Sequence, residues 1–172
     1  MKFRFLPIIL MIFFLAVFTI FYQGLKNYNI YIPKDNITKK IPPIKIKTLK
    51  NDNEVRLDKI FKGNNFYLMN IWSSWCVPCK DEHKFLVELS QNPKLEIIGL
   101  NYKDNDVNAK NFLNQFSNPY KTIIQDKNGT IAIEWGAYGV PESFLVHKNK
   151  IIKKIIGPLN ENLLIEIENI IR

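Results

Sequence analysis

The stretch Phe66-Tyr67-Leu68-Met69-Asn70-Ile71-Trp72 constrains the fold more than any other part of the chain. A continuous apolar and aromatic run of this length belongs to a central strand covered on both faces. The segments after it continue the pattern. Phe85, Leu86 and Leu89 have the spacing of an amphipathic helix that ends near Ser90. Leu95 to Tyr102 reads as a strand, about Val107 to Phe116 as a helix and Lys121 to Gln125 as a further strand. This βαβαβ order implies parallel neighbours joined by crossovers.

The flanks of that unit are also readable. Ile44, Ile46 and Leu49 alternate with lysines before the turn-like Asn51-Asp52-Asn53, and Glu54 to Leu57 follows, which predicts a hairpin. Asp58 is placed to cap a short helix ending before Gly63. A short helix near Thr130 to Trp135 leads to Tyr138-Gly139-Val140-Pro141. Ser143 to His147 and Ile151 to Ile156 then read as antiparallel strands joined at Lys148-Asn149-Lys150. Asn160 caps a last helix with Leu163, Leu164, Ile167, Ile170 and Ile171 on its apolar side.

At the other end, Phe5 to Tyr22 is eighteen residues without a charge, preceded by Lys2 and Arg4. That is enough to cross a bilayer. The run ends in Phe21 and Tyr22 rather than in a small-x-small site, which favours an uncleaved signal anchor over a cleaved signal peptide. Lys26, Lys34, Lys39 and Lys40 follow the span, so charge alone leaves its orientation open. The expected organisation is an anchor over residues 1–25, a spacer over 26–43 containing Pro33, Pro42 and Pro43, and one domain over 44–172. Apart from the anchor, roughly 145 residues remain, enough for one domain with a sizeable core.

The net charge of +8 does not point to nucleic acid, because the lysines are scattered and the arginines are only Arg4, Arg56 and Arg172. A solvated lysine surface accounts for it. Two cysteines give no disulfide framework, and their C-x-x-C spacing points to redox or metal chemistry.

Trp75-Cys76-Val77-Pro78-Cys79-Lys80 falls where the buried strand turns into a helix. Cys76 then sits at the helix N-terminus, where the dipole and unpaired amides favour a thiolate, and Cys79 lies within the first turn. One turn brings the sulfurs within bonding reach, so Cys76 can attack a disulfide and Cys79 can resolve the mixed intermediate. An inert bridge is the weaker reading, because so short a loop restrains little of the unfolded chain. A metal site built from Cys76, Cys79, His83 and His147 lacks both a second C-x-x-C and an H-x-x-x-H partner.

The cysteine segment resembles the active site of the thioredoxin superfamily, and Gly139-Val140-Pro141 resembles the loop that precedes its cis-proline. A cis Val140-Pro141 bond would set that loop beside the cysteines and offer backbone groups to an extended substrate. The chain is most similar to one branch, the membrane-tethered reductases of cytochrome c maturation known as the DsbE/CcmG family. The resemblance runs from Ile44 to the end. It rests on Asn70-Ile71-Trp72, Trp75 to Cys79, Glu82-His83, Gly99-Leu100-Asn101-Tyr102-Lys103-Asp104, Asn118-Pro119-Tyr120, Tyr138 to Glu142 and Gly157-Pro158-Leu159. Val77-Pro78 replaces the Pro-Thr dipeptide common in the family and Val140 replaces a frequent Ala. The dipeptide between the cysteines tunes the potential.

The resemblance implies a thioredoxin-like α/β fold with a mixed central sheet flanked by helices, an N-terminal hairpin extension and one transmembrane helix. It implies no cofactor, and it places Cys76 as nucleophile and Cys79 as resolving thiol. Pro141 would support them with the cis-proline loop, and Trp72 and Trp75 would flank the site, Trp75 shaping the surface around Cys76, while core packing accounts equally well for Trp72. Glu82 and Glu142 match acidic positions that modulate the pair: a carboxylate near Cys79 would accept its proton during resolution while also opposing thiolate formation by like-charge repulsion. For Glu82 the alternative is a solvated surface charge. His83 reads as a helix-surface or packing residue and His147 as a strand-end residue. The implied place is the periplasmic face of the inner membrane, with Lys2 and Arg4 left in the cytoplasm. The implied partners are apocytochrome c or a maturation thiol protein, and a membrane electron donor of the DsbD/CcdA kind. The rival readings are a general periplasmic oxidase or isomerase and a copper or zinc chaperone.

Overall fold

The structure, a computed structural model, describes residues 6–26, 41, 43–49 and 54–172. The basic flank Lys2 and Arg4, most of the expected spacer and the turn Asn51-Asp52-Asn53 lie outside the described residues. Two units are present, residues 1–33 and 34–172. In the first, helix α1 (Leu6–Lys26) is apolar all round as far as Tyr22, and its stretch Leu6–Gly24 is long and apolar enough to cross a membrane. At the rise of an α-helix that stretch is roughly 30 Å long, the thickness of a hydrocarbon core.

The described strands of the second unit are β1 (Lys45–Thr48), β2 (Val55–Arg56), β3 (Phe66–Trp72), β4 (Leu95–Tyr102), β5 (Thr122–Asp126), β6 (Glu142–His147) and β7 (Lys150–Ile156). The helices between and after them are α2 (Val77–Leu89), α3 (Asp106–Phe116), α4 (Thr130–Glu134) and α5 (Glu161–Ile171). The strands make one sheet in the order β2-β1-β5-β4-β3-β6-β7. β3, β4 and β5 are parallel, as the βαβαβ order requires, and β6 and β7 form the expected antiparallel pair. β6 also runs antiparallel to β3, which closes the interior position of β3 on its second side.

The run Phe66–Trp72 earns its central place by serving two cores at once. Leu68 and Trp72 face one apolar cluster, while Tyr67, Met69 and Ile71 face the other, the alternation that a strand imposes. Two right-handed crossovers in the same direction put α2 and α3 on one face of the sheet. There Leu86, Leu89, Phe112 and Leu113 pack with Leu164, Ile167 and Ile171 of α5. Ile46, Leu57, Phe61, Ile131 and Trp135 cover the other face, joined by Ile41 from three residues ahead of the expected domain start.

Gly99 of β4 shows how tight the first face is. A Cβ there would lie 2.8 Å from Trp72 Nε1 and 2.9 Å from Tyr120 Cγ, inside the stack of those two rings.

Two expectations change. Asp58 does not cap an α-helix: the segment is a 3-10 turn, Leu57–Lys59, with Arg56 at its N-cap, and the Asp58 carboxylate accepts from Arg56 Nε and Nη2 at 3.0 and 2.9 Å. β5 runs on to Asp126, which pairs with Tyr102 and whose carbonyl accepts from the Lys103 amide at 2.9 Å, while its carboxylate accepts from the amides of Ile131 and Ala132 at 3.2 and 2.8 Å at the start of α4.

Candidate active site

Cys76 is the N-cap of α2, with extended backbone, and its sulfur accepts from the Cys79 amide at 3.2 Å. Pro78 in the first turn has no amide to leave unpaired there. The two cysteines form a disulfide with Cα atoms 5.3 Å apart. Both are buried, yet they differ in access. Cys76 borders a surface groove of about 410 Å³ with Trp75 and Val77 on one wall and Phe112 and Phe116 on the other, whereas Cys79 does not line it.

The loop that presents Cys76 is bolted to the end of β4. The Ser73 hydroxyl donates to the Tyr102 carbonyl, and Trp75 Nε1 donates to the Lys103 carbonyl at 3.1 Å. Asp104 takes the centre of this junction. Its carboxylate accepts from the Ser74 amide and hydroxyl, both at 2.7 Å, from Asn101 Nδ2 at 2.9 Å and from the Asn105 amide at 2.8 Å. Sequence reasoning gave Asp104 no role in the site. The signal available was an acidic residue at the end of a parallel strand beside the one that carries the cysteines, which is where open α/β sheets gather functional groups.

Glu82 lies three residues after Cys79 on the same buried stripe of α2, which puts their side chains on neighbouring positions of one helix face. It is 1 % exposed, so the solvated alternative is excluded. One carboxylate oxygen accepts from Asn70 Nδ2 at 2.8 Å and the other from the Leu159 amide at 2.7 Å. Burial outweighs both bonds and raises its pKa from 4.5 to about 7. Asn70 Nδ2 also donates to Ser143 Oγ at 3.0 Å, and Asn70 Oδ1 accepts from the Tyr120 hydroxyl at 2.9 Å. Burial, with the charge of Glu82 second, pushes Tyr120 well above the usual phenol range, so it stays a donor.

The Val140-Pro141 bond is cis, and Val140 packs against the cluster that contains Cys76 and Cys79. Glu142, the first residue of β6, is 2 % exposed. Its Oε1 accepts from the amides of Tyr138 and Gly139 at 2.7 and 3.0 Å, and its Oε2 lies 3.0 Å from Lys154 Nζ. Its carboxylate is therefore engaged in holding the loop.

The remaining expected residues separate clearly. Trp75 is 56 % exposed beside Cys76, whereas Trp72 is 1 % exposed and stacked on Tyr120. His83 is a buried packing residue edge-on to Phe112, with Nε2 2.9 Å from the Ser117 carbonyl. Burial holds its pKa below the usual value, so the neutral ring donates that bond. His147 stacks on Phe66 at the start of β3. The cysteines follow the other end of that strand, about 20 Å away at the rise of a β-strand. Cys76, Cys79, His83 and His147 thus do not converge.

A mixed sheet with a C-x-x-C disulfide opening the helix after its central strand, and a cis-proline loop packed beside it, defines a thiol-disulfide oxidoreductase with a thioredoxin-like fold. The Redoxin family matches residues 37–170. Thiol:disulfide interchange protein CycY of Rhizobium leguminosarum bv. viciae is 47 % identical over 102 residues, 59 % of this chain and about half, 54 %, of that protein. DsbE of Tatumella citrea is 36 % identical over 72 % of this chain and 67 % of its own length, and DsbE of Pseudomonas fluorescens biotype C is 31 % identical over 92 % and 88 %. The chain belongs to the Redoxin family and, within it, to the DsbE thiol:disulfide interchange proteins. Among solved structures, the thioredoxin domain of a thiol-disulfide oxidoreductase from Bacteroides vulgatus has the same fold, with a TM-score of 0.65 at 19 % identity over 79 % of this chain and 98 % of that one. StoA from Bacillus subtilis matches at a TM-score of 0.56 and 22 % identity, covering 73 % and 98 %.

Proposed function

We propose that the reduced chain breaks the disulfide of apocytochrome c, at its haem-attaching C-x-x-C-H segment, or of a thiol protein that handles apocytochrome c. The observation that carries the assignment of roles is the difference in access between the two sulfurs: Cys76 opens onto the groove and Cys79 does not.

The Cys76 thiolate attacks one sulfur of the substrate disulfide, forming a mixed disulfide and releasing the other substrate sulfur as a thiolate. The Cys79 thiol gives its proton to the Glu82 carboxylate, whose pKa of about 7 suits an acceptor at neutral pH. The Cys79 thiolate then attacks Cys76 Sγ, closing the Cys76–Cys79 disulfide and expelling the second substrate sulfur. Two electrons have passed to the substrate. A dithiol of a membrane electron carrier of the DsbD/CcdA kind returns them. Pro141 and Trp75 border the attacking sulfur's surroundings, and Glu142 shapes the loop before Pro141.

In this reading residues 1–25 anchor the chain in the inner membrane, 26–43 are a spacer and 44–172 work on the periplasmic side, with Lys2 and Arg4 in the cytoplasm. A compartment where disulfides form is where a tethered reductant is needed. Replacing Cys79 with Ala removes the resolving thiol, so the mixed disulfide on Cys76 accumulates. Apocytochrome c or a maturation thiol protein is the expected captive. A broad set of secreted proteins would instead indicate a general oxidase or isomerase.

A further inference from the structure

Lys153 and Lys154 are adjacent in β7 and behave as opposites. Lys153 reaches the surface, 2.5 Å from Glu166, while the Lys154 side chain is only 4 % exposed. Glu142 is in register with Ile156 and Phe144 with Lys154, so Glu142 and Lys154 are diagonal neighbours on one face of the β6–β7 pair. From there Lys154 Nζ makes one contact with Glu142, just after the cis-proline, and two with the segment leading to it. It lies 3.0 Å from Glu142 Oε2, donates to the Gly136 carbonyl at 2.7 Å and sits 3.9 Å from the centre of the Tyr138 ring.

A buried ion pair adds little net stability over an apolar pair of the same size, and what it can contribute is a fixed geometry. Here the geometry is that of residues 136–141. The amides of Tyr138 and Gly139 are turned inward onto Glu142, Gly136 is tied to Lys154, and the ring of Tyr138, 59 % exposed, rests on the ammonium. An extended peptide that pairs with a loop edge binds best when the edge is already ordered.

We propose that Lys154 is a positioning residue for substrate recognition. Paired with Glu142, it fixes the Gly136–Pro141 segment from within, so that the outer backbone edge and the Tyr138 ring meet an extended, disulfide-bearing peptide in one shape. The inference rests on the reading of the chain as a reductase of peptide disulfides.

The test uses the full chain in detergent, reduced beforehand, with two substrates: a synthetic peptide closed by a C-x-x-C disulfide, and a small aromatic disulfide that needs only Cys76. Lys154→Met is expected to lower the ratio of peptide rate to small-disulfide rate about tenfold, mainly by raising the half-saturating peptide concentration. Because Lys154→Met leaves Glu142 unpaired in the interior, the double variant Glu142→Gln, Lys154→Met removes both charges and is expected to show the same fall. A role confined to stability would slow both substrates alike. A peptide preference equal to the parent's in the double variant would overturn the role of Lys154 alone. A parent chain that reduces the small disulfide but never the peptide would overturn both the substrate reading and this inference.

Discussion

The carboxylate of Glu82 accepts a hydrogen bond from the backbone amide of Leu159, 77 residues further along the chain, at 2.7 Å. The bond ties the helix that carries both cysteines to the turn that enters α5, and it does so with a group whose protonation changes near neutral pH.

Burial raises the Glu82 pKa from 4.5 to about 7, so the folded chain holds this proton more tightly than the unfolded chain does. Its contribution to stability is complete below pH 4.5 and is lost as pH rises through 7. The loss amounts to about 3 kcal/mol. His83 acts in the opposite sense: its lowered pKa favours the folded state above the usual histidine value and costs stability as pH falls below it. Comparing variants isolates Glu82. Urea unfolding of the oxidised chain at pH 5 and pH 8 is expected to show the parent losing stability on going up, and Glu82→Gln losing about 2.5 kcal/mol less. Equal slopes in the two proteins would count against a buried, titrating Glu82.

Asp104 accepts four hydrogen bonds from Ser74, Asn101 and Asn105. Asp104→Ala leaves those donors without their acceptor in a nearly closed junction, at a cost of about 2–4 kcal/mol. The same change frees the loop that presents Cys76, so disulfide exchange slows as well as the melting temperature falling. A variant that melts lower yet exchanges at the parent's rate would show that Asp104 serves stability only.

Gly99→Ala pushes a methyl group between Trp72 and Tyr120, where the available distances are 2.8 and 2.9 Å. Neither ring can yield easily, because Tyr120 also holds Asn70 and Trp72 is packed on Phe112. Overpacking of this kind costs about 1–3 kcal/mol. A chemical melt together with the near-ultraviolet circular dichroism of the aromatic cluster would register it, and an unchanged spectrum would refute the tight stack.

The strands and helices were legible because each has a local cause. Phe66–Trp72 reads as an interior strand from its own residues, and Asn160 caps α5 through a bond to the Leu163 amide only three residues away. Long-range pairings were not legible in the same way. Nothing in residues 45–48 says that β1 lies against β5, and nothing in β6 says that it runs antiparallel to β3. Asp58 matched a cap pattern, but a neighbouring arginine claimed its carboxylate.

The site divides along the same line. Cys76, Cys79 and the cis bond before Pro141 were visible as short motifs. Glu82 left two readings open, because its burial depends on Asn70 and Leu159. Lys154 looked like one more surface lysine in a lysine-rich strand, and only its diagonal neighbour across β6 explains why it is inside.

Trp75 keeps its indole half in solvent with Nε1 fastened to the Lys103 carbonyl, whereas Trp72 and Trp135 are each 1 % exposed. The three tryptophans of the chain therefore form an uneven set of fluorophores. Two are shielded from a collisional quencher such as iodide, and the third stands at the mouth of the groove beside the reactive sulfur. The quenchable part of the emission belongs to Trp75, and it reports occupancy of that groove without any label being attached.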